Sequence, residues 1–228
     1  MTDADFQKLD LFYGRVHEIA DLAQQTNCSL YVDAEQTFIQ PGIESFGQQM
    51  TQELNHGDQV IIMNGYQCYA KRMAKVIPME VAASKALGYN LGVKLIRGAY
   101  MNEERRLAEE GGYESPIWDD IESTHKCYND CMTHVIENMK PEDMVFIASH
   151  NVDTVNLAKR MATERGLKDL ERVRFGQLRG FSDQVTGSLA GEGFTVYKYL
   201  PFGPTEEVMP YLVRRGQESR QVLREQKF

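Results

Sequence analysis

Polar or ionisable side chains stand at the carboxyl ends of six apolar runs in this chain of 228 residues. The runs cover residues 30–32, 60–63, 93–96, 144–148, 173–178 and 195–199. At or just past their ends stand Asp33, Glu35, Gln67, Tyr69, Arg97, Tyr100, His150, Asn151, Gln177, Arg179 and Tyr199. Apolar packing alone does not explain these side chains, so they are candidates for a binding or catalytic site.

The same pattern predicts the fold class and the face that holds the site. Short, β-rich apolar runs are typical of parallel strands that are covered by helices on their outer face. In an α/β barrel the carboxyl ends of the strands meet on one face, and that face carries the active site.

Two adjacent arginines near the end of the chain could bind an anion. Tyr211, Arg215 and Glu218 share one face of a predicted helix because they are spaced four and three residues apart. In one interpretation, Arg214 and Arg215 grip a small carboxylate as planar donor forks, and Glu218 steadies them. In the other, more common for adjacent arginines, they are a solvated patch in which Arg214 and Glu218 form an ordinary i, i+4 ion pair.

Two carboxylates on the first strand are also candidates. Asp33 and Glu35 lie two residues apart and therefore point to the same side of the sheet. Inside a barrel their charges would need a cation. Asp33 is the better candidate, because Glu35 could already have left the strand and be solvated.

A zinc site is a weaker hypothesis. Cys127, Cys131 and His134 share a helix face, but His125 falls in a neighbouring apolar stripe, and tetrahedral sites usually draw ligands from more than one element. We therefore predict no metal site there.

Composition excludes several classes of function. The net charge of −8 is spread along the chain, without the clustered Lys and Arg of a nucleic-acid surface. Four scattered cysteines indicate free thiols in a reducing compartment. No apolar stretch approaches the roughly 20 residues of a membrane span. Residues 1–5 are acidic and resemble no targeting peptide, although a transit peptide could belong to a segment upstream.

Helical periodicity predicts helices between the strands, and no linker or shift of composition divides residues 1–228 into more than one domain. The predicted helices fall around residues 9–23, 43–54, 74–87, 120–139, 153–165 and 205–225. Between Tyr100 and Met144, Gly111, Gly112 and Pro116 predict an inserted loop. A complete barrel has eight strands, so six indicate either an open sheet or a missing amino-terminal portion.

Seven short blocks, in order along the chain, resemble proline dehydrogenase (proline oxidase) of the eukaryotic mitochondrial type. They are YVDAEQT (31–37), YQCY (66–69), KLIRGAY (94–100), ASHN (148–151), FGQL (175–178), VYKYLP (196–201) and YLVRR (211–215). The resemblance runs nearly end to end, and the ordered set is far more specific than any single block.

The resemblance implies a distorted (βα)8 barrel, here incomplete, that holds FAD non-covalently at the carboxyl ends of its strands. It implies oxidation of L-proline to Δ1-pyrroline-5-carboxylate and transfer of electrons to a quinone. It further implies a mitochondrial location, on the matrix side of the inner membrane, with a possible peripheral membrane association.

The resemblance also assigns residues. Arg214 and Arg215 would bind the proline carboxylate, Glu218 would steady them, and Tyr199 and Leu178 would line the pocket. The residues implied to contact the flavin are Gln67 (near N5), Lys94, Arg97, Gly98, Tyr100, His150 and Asn151. Asp33 would form part of a polar pair under the substrate.

The sequence departs from the family pattern in three respects. The family's lysine that pairs with the residue matching Asp33 lies on a strand upstream of residue 1, so we expect Asp33 to lack its partner. Gly65 replaces the usual threonine, and Arg179 replaces an apolar or neutral residue. Two alternatives therefore stay open: a catalytically inactive barrel that acts as a binding or regulatory partner, and a hydroxyproline dehydrogenase.

Overall fold

Six parallel strands form a single sheet in chain order, and helices connect them. The structure, a computed structural model, describes residues 2–167 and 171–218, and side chains as far as residue 216. The strands are β1 (Leu30–Val32), β2 (Ile62–Gln67), β3 (Gly92–Ile96), β4 (Met144–Ala148), β5 (Val173–Leu178) and β6 (Val196–Tyr199). The helices are α1 (Asp3–Gln25), α2 (Gln40–Leu54), α3 (Met73–Leu87), α4 (Met101–Gly111), α5 (Ile121–Asn138), α6 (Val152–Glu164), α7 (Asp183–Gly191) and α8 (Thr205–Glu218).

All six predicted strands are confirmed, and the sheet has the parallel, helix-connected order of a barrel. Within the described part of the chain, β1 pairs with β2 alone and β6 pairs with β5 alone. The second strand begins later than predicted. The Asn55 side-chain oxygen accepts hydrogen bonds from the backbone N–H groups of Ile61 and Ile62, at 2.9 and 2.8 Å. These two N–H groups therefore bond to a side chain and not to a neighbouring strand.

The predicted inserted loop is wrong over residues 101–111, which are helical. The structure places α4 at Met101–Gly111, and an αL residue, Gly112, ends the helix. The sequence signal was weak because this helix is mostly charged, and within it only Glu104 and Ala108 are buried. The last helix, predicted to reach residue 225, is described only as far as Glu218.

Aromatic side chains fill the inside of the curled sheet below the strand ends. The Phe146 ring on β4 lies 4.9 Å from the Tyr31 ring on β1 and 5.8 Å from the Tyr197 ring on β6, measured between centroids. Gly176 on β5 leaves room for Phe146, since a Cβ there would lie 2.2 Å from its ring. We call Tyr31, Phe146 and Tyr197 the aromatic floor.

The outer face of the sheet packs against the helices. Large, fully buried side chains there include Tyr66, Leu95, Tyr128, Met132 and Phe175. In residues 2–167 and 171–218, no helix has both the length and the apolarity needed to cross a bilayer.

Gly176→Ala should destabilise the protein by about 1 to 3 kcal/mol, because the added methyl group overpacks Phe146 inside the aromatic floor. Urea unfolding followed by circular dichroism measures the change. Gly187→Ala on α7 is the matched control: nothing lies within 4 Å of its Cβ position, and alanine favours a helix. Equal unfolding midpoints for the two variants would contradict the packing argument.

The half-buried carboxyl group of Glu80 lies between α2 and α3. Burial, and then the charge of Glu44, raise the pKa of Glu80 to about 6. The Gln48 amide donates to both Glu80 oxygens at 3.4 Å, and Glu44 forms an ion pair with Arg72. The folded chain therefore binds a proton at Glu80 more tightly than the unfolded chain does.

The stabilising effect of this proton is complete at low pH and is lost as the pH rises through about 6. Relative to Glu80→Gln, the wild type should lose about 1 kcal/mol of unfolding free energy between pH 4.5 and 7, after allowance for solvent screening. Urea titrations across this range measure the difference. The exposed Glu137→Gln serves as the control, and a wild-type curve parallel to that of Glu80→Gln would contradict the assignment.

Candidate active site

An ion pair between Lys94 and Asp33 crosses the inside of the barrel near the strand ends. Lys94 lies on β3, Asp33 follows β1, and the Lys94 side chain is 13% exposed against 54% for Asp33. The expectation that Asp33 lacks a partner is therefore wrong. Its partner is Lys94, which the resemblance had assigned only to the flavin.

Gly65 explains how this pair forms. It lies on β2 opposite Lys94, and the register of β1 on β2, with Val32 opposite Asn64, puts Asp33 beside it. A Cβ at Gly65 would lie 2.5 Å from the Val32 carbonyl oxygen. Because this position has no side chain, the strands approach closely and the lysine can reach across β2 to the aspartate.

Gln67, at the end of β2, joins the neighbouring strand ends. Its amide N–H donates to the Glu35 carbonyl oxygen at 3.0 Å, and its amide oxygen accepts from the Ala99 backbone N–H at 3.0 Å. The side chain is 3% exposed. Gln67 thus fixes the segments that follow β1 and β3 against one another.

Arg97 lies on the helix side of the strand ends, away from the aromatic floor. Its guanidinium donates to His125 Nδ1 (3.1 Å), Ser149 Oγ (2.7 Å) and Thr154 Oγ1 (2.6 Å), and it lies 4.3 Å from the centre of the Tyr128 ring. Burial lowers the pKa of Arg97. The side chain therefore braces the turn between β4 and α6.

His150 and Asn151 form that turn. Asn151 caps α6, since its side-chain oxygen accepts from the Thr154 N–H at 2.8 Å. The His150 Nδ1 lies 3.1 Å from Ser182 Oγ. Burial, and then the charges of Lys198 and Arg97, lower the pKa of His150 to about 4, so its imidazole is neutral at physiological pH.

Tyr100 connects β1 to the last helix. Burial, and then a hydrogen bond to the Glu35 carboxylate, raise the pKa of Tyr100. The Arg214 guanidinium lies 5.6 Å from the centre of the Tyr100 ring. The alternative in which Glu35 has left the strand is correct, since β1 ends at Val32, but its side chain is half-buried and not fully solvated. Nearby, Gly98 lets the Tyr69 ring approach, because a Cβ would lie 2.2 Å from that ring.

The arginine pair lies over the strand ends, with Arg214 exposed and Arg215 half-buried. The Tyr199 ring on β6 lies 6.0 Å from the Tyr211 ring on α8, and the Arg215 guanidinium lies 5.3 Å from the centre of Tyr211. Burial raises the pKa of Tyr199, and the charges of both Asp33 and Arg215 act on its phenol. Leu178, half-buried, pairs with Tyr199 across β5 and β6.

The structure thus separates the predicted residues into two groups. Around the barrel mouth it brings together Asp33, Lys94, Leu178, Tyr199, Arg214 and Arg215. On the helix side lie Arg97 and the cap residue Asn151. The Glu218 side chain lies outside the described residues. Among the described residues, no three His, Cys, Asp or Glu side chains are grouped as metal ligands.

Comparison with known proteins places this geometry in a family. The family model for proline dehydrogenase matches residues 3–226. Proline dehydrogenase 1, mitochondrial, of Caenorhabditis elegans is 41% identical over 98% of this chain and 37% of its own length. The human protein of the same name is 40% identical over 98% of this chain and 38% of its own length. The hydroxyproline dehydrogenase of Xenopus laevis is 37% identical over 92% of this chain and 46% of its own length.

Solved structures agree on the fold. Proline utilization A from Bdellovibrio bacteriovorus, inactivated by N-propargylglycine, superposes with a TM-score of 0.81 and 23% identity over 92% of this chain and 22% of its own. The chain spans less than half the length of these relatives. With a family model that covers nearly every residue and relatives at about 40% identity, the chain belongs to the proline dehydrogenase family.

Proposed function

We propose that residues 1–228 form part of a catalytic barrel that oxidises L-proline to Δ1-pyrroline-5-carboxylate with FAD and passes electrons to a quinone. One observation carries this proposal: Arg214 and Arg215 lie over the strand ends beside Tyr199. The negative charge of Asp33 also acts on the Tyr199 phenol. Cationic groups for a carboxylate and an anionic group for an ammonium thus both lie near Tyr199.

The donor set at the strand ends fits FAD. Isoalloxazine carbonyl and ring nitrogen atoms accept hydrogen bonds, and the diphosphate is anionic. Lys94 supplies a cation inside the barrel, Gln67 holds the segments that follow β1 and β3 at the strand ends, and neutral His150 can donate or accept. When bound, FAD would supply the hydride acceptor.

The arginine pair binds the carboxylate in this proposal. Two guanidinium groups present parallel N–H donors that match two carboxylate oxygens. Tyr100 and Tyr211 hold these groups by their rings, at 5.6 Å for Arg214 to Tyr100 and 5.3 Å for Arg215 to Tyr211. Binding through the carboxylate fixes one end of the substrate and excludes water from the site.

The ring of the substrate packs against Tyr199 and Leu178, which restricts its orientation. The Asp33 carboxylate faces the same opening and accepts a hydrogen bond from the substrate amine. The ion pair with Lys94 holds that carboxylate in place. The chain therefore binds both charges of a zwitterionic amino acid and holds the ring carbon between them.

For location, we propose the mitochondrion, on the matrix side of the inner membrane, with peripheral association that gives access to a quinone. The support is the word "mitochondrial" in the names of several relatives.

A second candidate is oxidation of hydroxyproline. Two relatives are named hydroxyproline dehydrogenase, from Xenopus laevis and Rattus norvegicus, at 37% and 36% identity. Arg179 is the local feature to examine, since its backbone N–H bonds to the Tyr199 carbonyl oxygen at 3.1 Å and so lies beside the proposed ring wall. Comparing rates on proline and hydroxyproline separates the two substrates.

Arg215→Met should weaken L-proline binding by about 100-fold, because a charge-assisted contact worth about 3 kcal/mol is lost. The measurement is bleaching of the flavin absorbance of the purified, FAD-loaded protein as L-proline is titrated anaerobically. Arg106→Met, an exposed change on α4 where Arg106 pairs with Glu110, should leave the titration unchanged.

Bleaching at unchanged L-proline concentrations in Arg215→Met would contradict the carboxylate role. Flavin that binds but is bleached by neither substrate, even in the wild type, would instead favour a catalytically inactive barrel that acts as a binding or regulatory partner.

A further inference from the structure

The Arg97 guanidinium is buried among neutral groups. Its three hydrogen-bond acceptors are an imidazole nitrogen and two hydroxyl oxygens, and a phenol ring covers one face. Desolvating a guanidinium without a carboxylate is costly, so its geometry depends on every one of these acceptors. Arg97 connects the end of β3 to α5 through His125 and to the turn between β4 and α6 through Ser149 and Thr154.

His125 is the acceptor whose capacity depends on a proton. Arg97 Nε always carries hydrogen, so Nδ1 of His125 must hold a lone pair for the 3.1 Å contact to be a hydrogen bond. A proton on Nδ1 would turn this acceptor into a donor and place a second positive charge against Arg97. The hydrogen bond would be lost and replaced by repulsion.

The charges around His125 come from three elements. Burial, and then the charge of Arg97 just after β3, lower the pKa of His125, whereas Glu122 on the same helix and Asp153 on α6 oppose that shift. The imidazole is only partly buried, so protons reach it from solvent. At neutral pH His125 therefore accepts the Arg97 hydrogen bond, and a proton added in acid would break it.

We propose that His125 is a proton-responsive positioning residue, which holds Arg97 and the β4–α6 turn in the FAD-binding arrangement when neutral and releases them when protonated. The path is continuous: Arg97 donates to Ser149 and Thr154, Ser149 Oγ accepts from the Asn151 N–H at 3.1 Å, and Asn151 caps α6. His150, between these residues, is a proposed cofactor contact. This inference rests on the proposed function, because it assumes that the turn contacts FAD.

The test measures FAD affinity of the full chain from pH 5 to pH 8 by quenching of flavin fluorescence. Wild-type affinity should fall about tenfold once His125 has gained its proton at the acid end of the range. His125→Asn puts a non-titrating oxygen at the place of Nδ1, so it should keep affinity near the neutral-pH value and flatten the profile. His125→Phe removes the acceptor and should bind FAD weakly at every pH.

His134→Asn is the matched control, since it makes the same change on the same helix and should retain the wild-type profile. A profile of His125→Asn that coincides with the wild type would overturn the inference. So would His125→Phe binding FAD as tightly as the wild type at pH 8.

Failure of the proposed function would give a different result. If no variant binds FAD at any pH, the cofactor assignment fails. The Arg97–His125 contact is then tested by thermal unfolding over the same pH range: the wild-type midpoint should fall towards pH 5 relative to His125→Asn, and equal midpoints would overturn the contact's pH response as well.

Discussion

The ion pair between Lys94 and Asp33 constrains the barrel mouth, because the largely buried ammonium of Lys94 is stabilised by the carboxylate of Asp33. The lysine depends on the pair more strongly, since its side chain is 13% exposed and that of Asp33 is 54% exposed. Gly65 makes the pair possible by leaving open the space between them. The pair therefore fixes β1 against β3 across β2, and Gln67 repeats the same connection one step nearer the strand ends.

Layers of different chemistry enclose this pair. Below it, the aromatic floor fills the inside of the sheet; the Tyr31 ring also lies 5.8 Å from the Lys94 ammonium, and burial raises the pKa of Tyr31. Above it, α8 is held to the strand ends by the contacts of Tyr211 with Tyr199 and of Arg214 with Tyr100. A ligand in the mouth thus meets a rigid floor, a paired charge and a cover that carries cations.

The sequence predicted the parts of this arrangement that follow from local pattern. Apolar runs predicted six strands, and the positions of polar residues at their ends predicted the face of the site. The sequence did not predict that Lys94 is the partner of Asp33. This pairing depends on the register of three strands and on the lack of a side chain at Gly65, and the spacing of residues along one strand shows neither. The helix α4 was missed because its stability does not come from an apolar stripe. The sequence carried no strong signal for the roles of Glu35 and His125. Their partners, Tyr100 and Arg97, lie in the segment that follows β3 and are distant from them in the sequence.

The alternation of side chains along a strand could have predicted that the two basic residues of the KLIRGAY block lie on different faces of the sheet. Side chains alternate between the two faces of a strand, so Lys94 and Arg97, three residues apart, must point to opposite sides even though both resemble flavin contacts. Lys94 points inward and meets Asp33, whereas Arg97 points outward and meets α5 and α6. One strand end therefore supplies a charge that can contact a ligand and a charge that fixes the scaffold. Because the second charge depends on a histidine acceptor, the same short block holds the strand end in place and, in the inference above, makes it sensitive to protons.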